Sequence, residues 1–262
     1  MPSDAKLPIT TFFRELSQSA DSALALDYDG TLAPFRVDRF AAVPYPGVAE
    51  LIGRILKANR TRVVLVSGRP AEEVRDLLGI VPVPEIWGLH GRQRLRADGR
   101  SEILPMKDSD RETLEQAAAW LGSQRLEALA EFKAGSVAVH WRGLAPEESA
   151  EVRGRVTLAF GSLAERAGMA LLEFDGGVEL RSAEIHKGTA VRAIRSELAP
   201  DTPFAYLGDD LTDEDAFRAL RGTGALSVLV RPEWRETAAE VWLRPPDELL
   251  EFLAGWLERI ER

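Results

Sequence analysis

The chain has 262 residues, 45% of them hydrophobic and 29% charged, which excludes disorder and collagen-like repetition and fits one large domain or two unequal ones. Lysine and arginine total 33 against 42 acids, a formal charge of −9, which disfavours a broad basic face for nucleic-acid phosphates but leaves room for a small phosphate pocket. With no cysteine, disulfides, thiolate metal sites and cysteine nucleophiles are out, and three histidines, His90, His140 and His186, leave little for a multi-histidine zinc centre.

The start, MPSDAKLPITTFFRELSQSA, has no apolar run of signal-peptide length, and nowhere is there a membrane-spanning run of roughly 18 apolar residues. The expectation is a cytoplasmic chain, a monomer or weak oligomer, with no membrane and no nucleic-acid partner. Ala23–Leu26 reads as the first buried strand. Val48, Leu51, Ile52, Ile55 and Leu56 then form one apolar helical stripe after Pro44 and Pro46, followed by a strand at Val63–Val66. From about Glu102 to Ala183 the order changes. A helix marked by Leu114, Ala117, Ala118 and Leu121 precedes strands Leu126–Lys133 and Ser136–Trp141, joined at Ala134-Gly135. A second helix, Glu147–Ala167, precedes strands Ala170–Phe174 and Val178–Arg181, joined at Asp175-Gly176-Gly177. Strands paired through glycine turns are antiparallel hairpins. Past the insert come a helix with Ala190, Val191, Ile194 and Leu198, strands Phe204–Leu207 and Leu226–Val230, and a helix with Leu249, Leu250, Leu253, Trp256, Leu257 and Ile260. The expected fold is α/β: a doubly wound parallel, Rossmann-like core sheet of residues 1–101 and 184–262, interrupted by a smaller α+β cap over 102–183.

Four segments carry chemistry. Leu24-Ala25-Leu26-Asp27-Tyr28-Asp29-Gly30-Thr31 ends a buried strand in two carboxylates, at the strand edge where open α/β sheets bind ligands. An ordinary Asp-Gly turn accounts for Asp29-Gly30 but not for Asp27. Val63–Val66 runs into Ser67-Gly68-Arg69-Pro70 at a helix start, where a hydroxyl and backbone N–H groups suit an anion; Ser67 as a plain cap is the alternative. Lys187 in His186-Lys187-Gly188 opens a helix, where the macrodipole disfavours a cation unless it faces an anion or carboxylate. Gly208-Asp209-Asp210-Leu211-Thr212-Asp213-Glu214-Asp215 holds five acids in seven positions with no basic residue among them. A hard divalent cation would relieve their repulsion, although Asp213, Glu214 and Asp215 also suit a helix's first turn.

In this order the segments resemble the haloacid-dehalogenase-like phosphohydrolases, whose pattern is Asp-x-Asp-Gly-Thr, Ser-Gly-Arg, a lysine and Gly-Asp-Asp-x-x-Asp. The resemblance implies a Mg²⁺-dependent phosphatase working through an aspartyl-phosphate. Asp27 would be the nucleophile, and Asp29 the acid and then base, its carbonyl also on the metal. Asp209 with Asp27 would ligate Mg²⁺, Asp210 and Asp213 would support that shell, and Ser67, Gly68 and Lys187 would hold phosphoryl oxygens. Only 38 positions separate Asp29 from Ser67 but 118 separate Arg69 from Lys187, so the insert occupies the family's second cap position.

Finer matches resemble the trehalose-6-phosphate phosphatase branch: Leu26-Asp27-Tyr28-Asp29-Gly30-Thr31-Leu32, Gly88-Leu89-His90-Gly91, Glu131-Phe132-Lys133, Val137-Ala138-Val139-His140-Trp141-Arg142 and Glu179-Leu180-Arg181. That resemblance implies a small-molecule sugar phosphate as substrate, with Arg69, Glu131, Lys133 and Glu179 as its ligands; for the three cap residues a solvated hairpin face is the alternative. Departures are Arg92-Gln93 where the branch has glutamate after His-Gly-Ala, Asp175 in place of its Gly-Lys, and Ser182 after Arg181 in place of proline. These bear on substrate, so another sugar phosphate remains open. A non-catalytic receiver-like phosphate sensor would also cluster aspartates, Ser/Thr and lysine, but on a chain about half as long and without a cap.

Overall fold

A computed structural model describes residues 6–36, 38–174 and 176–261. In chain order, the first third holds α1 (Lys6–Gln18), β1 (Ser22–Leu26), α2 (Val48–Lys57), β2 (Thr61–Val66), α3 (Ala71–Leu78), β3 (Glu85–Gly88), β4 (Gln93–Leu95) and β5 (Ser101–Ile103). Next come α4 (Asp108–Gln124), β6 (Ala130–Lys133), β7 (Ser136–His140), α5 (Pro146–Ala167), β8 (Ala170–Phe174) and β9 (Gly177–Arg181). The last part holds α6 (Lys187–Ser196), β10 (Phe204–Gly208), α7 (Glu214–Leu220), β11 (Leu226–Val230), β12 (Val241–Leu243) and α8 (Asp247–Ile260). The chain divides into two compact units, one of Met1–Glu102 with Lys187–Arg262 and one of Ile103–His186. Among the described residues no helix is long and apolar enough to cross a membrane.

The larger unit is built on a sheet of order β12-β11-β10-β1-β2-β3-β4-β5, parallel from β12 to β3. Its central strands read as unbroken apolar runs because both faces are covered. Along β1 and β2, Leu24, Leu26, Val63 and Leu65 join one core with Phe12, Ile52, Ile55, Leu253 and Trp256. The alternate residues Ala23, Ala25, Val64 and Val66 join the other, with Val191, Ile194, Phe204, Tyr206 and Phe217.

Beyond the expected parallel strands the sheet carries β4, which pairs antiparallel to β3. A tight turn causes this: Leu89, His90 and Gly91 take φ of 52°, 57° and 107°, so the chain doubles back at once and no helix intervenes to return it parallel.

The smaller unit is a four-stranded antiparallel sheet, β6-β7-β9-β8. Val137, Val139, Val178 and Leu180 lie in one core with Leu114 and Leu121 of α4 and Val156 and Phe160 of α5. The expected strand Leu126–Lys133 begins only at Ala130, after a 3-10 turn over Glu127–Leu129. The cause lies in the end of α4: Arg125 is left-handed at φ 58°, its N–H bonds Gly122 O at 3.1 Å and that of Leu126 bonds Leu121 O at 3.0 Å. This Schellman closure holds Leu126 in the core as a helix-stop residue.

An ion network ties β4 to the parallel sheet. Glu85 on β3 accepts from Arg62 Nη2 at 2.8 Å, Arg94 Nε at 2.8 Å and Trp87 Nε1 at 2.8 Å. Arg94 also grips Glu197 through both Nη atoms at 2.8 Å, while Arg62 reaches it at 2.6 Å. The hydrogen bond from Arg94, helped by Arg62 and opposed by burial, pulls the Glu197 carboxyl down to about 2. A depressed carboxylate stabilises the fold above its unfolded value, and that contribution is lost as pH falls toward the folded one. Glu197 is 39% exposed, so Glu197→Gln should cost only about 1 kcal/mol at pH 7. Urea midpoints of variant and wild type should converge as pH falls from 6 to 3; a gap that stays constant would show that the charge contributes nothing.

Candidate active site

β10, β1 and β2 are parallel neighbours in register, with Leu207 and Leu65 both paired with Leu26. Asp27 therefore leaves β1, Asp209 leaves β10 and Ser67 leaves β2 at one carboxyl edge, where strand order reverses about β1. Lys187, the first residue of α6, is buried there, its Nζ 2.7 Å from Asp27 Oδ1 and 2.8 Å from Asp213 Oδ1. The misplaced helix-start cation thus sits between two buried carboxylates. Thr31 Oγ1 donates to the other oxygen of Asp27 at 3.2 Å.

Asp213 receives four donors. Lys187 and the Tyr206 hydroxyl bond its Oδ1, and the backbone N–H groups of Asp209 and Asp210 bond its Oδ2 at 3.2 and 3.0 Å. Its acceptor capacity is spent on holding its neighbours. Carboxylate oxygens of Asp27, Asp209 and Asp213 lie within 4.8 Å of one another, and Asp209 Oδ1 is buried with no hydrogen-bond partner. An oxygen-only, acidic donor set with one unspent buried oxygen fits a hard divalent cation.

Burial, with the nearby Asp213 and Asp29 charges, raises the Asp27 carboxyl to about 7 against the pull of Lys187. Burial also pushes Asp209 well above the usual carboxylate range, with Asp27, Asp213 and Asp210 adding to the effect. Burial opposes the charge on Lys187, but Asp213 and Asp27 outweigh it and hold the ammonium above its ordinary value. Three buried carboxylates facing one ammonium make a charge balance that suits a bound cation.

Two further acids of the run pair with arginines outside it. Glu214 pairs with Arg235 at 2.5 Å, and Asp215 with Arg218 at 3.5 Å. Asp210 accepts from Leu211 N at 2.7 Å in a reciprocal capping box with Asp213. Of the five acids, Asp209 alone keeps a buried carboxylate oxygen with no hydrogen-bond partner among the described residues.

Arg69 forks onto Asp29, Nε to Oδ2 and Nη2 to Oδ1, both at 2.6 Å, with Nη1 on Arg39 O at 2.8 Å. This guanidinium, expected at the substrate, pairs with the candidate acid. Ser67 is buried and its Oγ accepts from Arg69 N at 3.1 Å, so it caps the turn as well as edging the site. Gly68 has a packing reason: a Cβ there would lie 2.7 Å from the buried His90 ring.

In the smaller unit, Glu131 and Glu179 both pair with Ala138 in register. They lie on the sheet face opposite the apolar core. Lys133 Nζ lies 3.6 Å from Glu131 and 3.5 Å from Glu179. Ser136 donates to Glu179 at 2.5 Å, and His140 Nε2 lies 3.1 Å from Glu131. The three expected sugar ligands are thus one charged cluster. Gln93, a departure from the branch pattern, accepts from Ala71 N at 2.8 Å and donates to Glu72 at 2.8 Å, which makes it the cap of α3. Asp175 lies outside the described residues.

Tyr206 and Arg235 escaped the sequence reading. Tyr206 is hidden in the apolar run of β10, and Arg235 lies in a loop after β11 with no local motif.

Sheet topology and the residues at its carboxyl edge define a haloacid-dehalogenase-like fold. Residues 25–241 match the family model described as trehalose-phosphatase, and the chain belongs to that family. It is 33% identical over 245 residues to a trehalose-phosphate phosphatase of Mycobacterium marinum, covering 88% of this chain and 60% of that protein. It is 32% identical over 233 residues to a probable trehalose-phosphate phosphatase of Sinorhizobium fredii, covering 84% and 82%. The chain therefore spans about 60% of the length of the mycobacterial relative. Among solved structures, the C-terminal domain of a C. albicans trehalose-6-phosphate phosphatase has the same fold, with TM-score 0.80, 20% identity and coverage of 95% and 96%.

Gly30 has φ of +80°, and a Cβ on it would meet the Asp209 carboxylate at 2.1 Å. Gly30→Ala should cost about 1–3 kcal/mol in backbone strain and displace Asp209. The thermal midpoint should fall accordingly; an unchanged midpoint would show that the loop absorbs the added carbon without strain.

Proposed function

We propose that the chain is a Mg²⁺-dependent sugar-phosphate phosphatase that forms an aspartyl-phosphate and releases trehalose from trehalose 6-phosphate. The observation that carries this reading is the buried cluster of Asp27, Lys187 and Asp213 beside the unspent Oδ1 of Asp209, on a chain of the trehalose-phosphatase family. Asp27 attacks phosphorus in line, and the bond to the sugar oxygen breaks as Asp29 gives that oxygen a proton. Asp29 then takes a proton from the water that attacks the phosphorus of the aspartyl-phosphate, which frees Asp27 and inorganic phosphate. Lys187 and Ser67 hold the phosphoryl oxygens, and Asp213, with Tyr206 behind it, fixes Lys187. Asp27, Asp209 and the Asp29 carbonyl would hold Mg²⁺, which when bound offsets the negative charge gathered there.

Glu131, Lys133 and Glu179 supply the sugar's hydrogen bonds, each able to make two or more. The decisive experiment is phosphate release from a panel of sugar phosphates at fixed Mg²⁺. Trehalose 6-phosphate should be preferred, and equal or better turnover of another glycosyl phosphate would reassign the substrate.

Asp27→Asn should abolish turnover of every phosphate ester while Lys187 keeps its bond to Asp213 and the fold survives. EDTA should silence the wild type and Mg²⁺ restore it; residual activity in the variant, or indifference to chelator, would remove the nucleophile or the metal. Glu179→Ala and Glu131→Ala should each lower kcat/KM on trehalose 6-phosphate by about 100-fold, the cost of two or so lost polar contacts, and on p-nitrophenyl phosphate by less than about threefold. Equal losses on both substrates would argue against sugar reading.

A further inference from the structure

The loop that carries Asp209 has to hold a carboxylate against Asp27 in a buried setting, yet Asp209 and Asp210 belong to no helix or strand. What steadies it comes from a distant loop. The Arg235 guanidinium donates from Nη2 to Asp210 O at 2.8 Å and from Nε to Asp209 O at 3.4 Å, while Arg231 Nη1 reaches the same Asp209 carbonyl at 3.5 Å. The N–H groups of those two residues bond Asp213 Oδ2, so the two residues are gripped through both their N–H and their C=O groups. Arg235 Nη1 is itself fixed by Glu214 at 2.5 Å and Glu236 O at 2.9 Å. Glu214, buried, is anchored by Thr237 Oγ1 at 2.7 Å and Ala238 N at 2.8 Å.

We propose that Arg235 is a positioning residue for cation binding: it braces the Asp209-Asp210 backbone so that Asp209 is presented to the metal preformed. This rests on the reading that Asp209 binds Mg²⁺. The guanidinium takes the carbonyls and Glu214 and leaves the Asp209 carboxylate oxygens to the ion, so it adds positive charge behind the loop without competing for ligand atoms. A planar fork can meet two successive carbonyls and a carboxylate together, which the single point charge of lysine cannot. Groups that orient a ligand in this way are worth about 10–100-fold in metal affinity.

The test is calorimetric titration of Mg²⁺ into the chelator-stripped full chain, alongside the Mg²⁺ dependence of phosphate release and the metal-free thermal midpoint. Arg235→Lys keeps a charge for Glu214 but loses the fork. The double variant Arg235→Met/Glu214→Gln avoids a buried unpaired carboxylate and guards against a misfolded result. Both should raise the Mg²⁺ dissociation constant by about tenfold or more, and excess Mg²⁺ should recover most of the lost turnover. Arg218→Ala, which removes a 3.9 Å contact to Glu214 and a 3.5 Å contact to Asp215 but none to the Asp209-Asp210 backbone, should leave Mg²⁺ affinity unchanged. Dissociation constants within twofold of wild type in both Arg235 variants, with only the thermal midpoint lowered, would overturn the proposal and make Arg235 a purely structural tie. A wild-type chain that binds no Mg²⁺ would overturn the metal reading itself, and the wild-type titration distinguishes that case from the other.

Discussion

Like charge held at one sheet edge is the constraint on which the rest of this structure depends. Asp27, Asp209 and Asp213 bring carboxylate oxygens within 4.8 Å of one another, all buried, an arrangement that water would screen and the interior does not. Among the described residues Lys187 is the ammonium placed among them, and one positive charge against three carboxylates leaves the cluster negative. Burial raises the carboxyls of Asp27 and Asp209, and the neighbouring carboxylates add to it. Asp213 accepts four donors, while Asp209 keeps a buried oxygen with no hydrogen-bond partner, although both belong to one short acidic run.

The sheet makes the crowding possible. Strands that alternate side chains between two full cores, with Leu24 and Leu26 in one and Ala23 and Ala25 in the other, leave no slack for β1 to slip relative to β10 or β2. A one-residue slip would put each apolar set on the wrong face. The position of Asp27 is thus fixed by burial of residues with no part in the chemistry, and the repulsion at the strand ends is carried by packing further down the same strands.

Legibility in the sequence follows the range of the interactions. Strand-end aspartates, the Ser-Gly-Arg turn and the helical stripes are local patterns, and β1, β2, β10, β11, α2, α6 and α8 formed where the periodicity put them. The antiparallel β4 was not legible, since it depends on Leu89 and His90 adopting left-handed backbone that no composition signals. Leu126 looked like strand because an apolar residue after a helix reads the same whether it starts a strand or closes a Schellman motif. The acidic run from Asp209 to Asp215 looks wholly unpaired in the sequence for the opposite reason. Two of its counter-charges, Lys187 and Arg235, lie 22 positions before Asp209 and 20 positions after Asp215, so local counting misses pairs that only the folded chain brings together.

The glycines of the motifs show that these segments are one object. Gly30, in the first motif, is required by Asp209 of the last, because a Cβ would strike that carboxylate at 2.1 Å. Gly208 is required by Asp213, whose carboxyl carbon would lie 2.4 Å from an added Cβ, and Gly68 by His90, whose ring would lie at 2.7 Å. Only Gly30 among the three has a backbone that glycine favours, with φ of +80°; the other two are glycine because a side chain from elsewhere occupies the space. A substitution at any of them would act on the acidic or histidine neighbour before it acted on its own turn. The spacing of the motifs along the chain is therefore free to vary with what is inserted between them, while the residue at each glycine is set by a partner that only the folded sheet brings near.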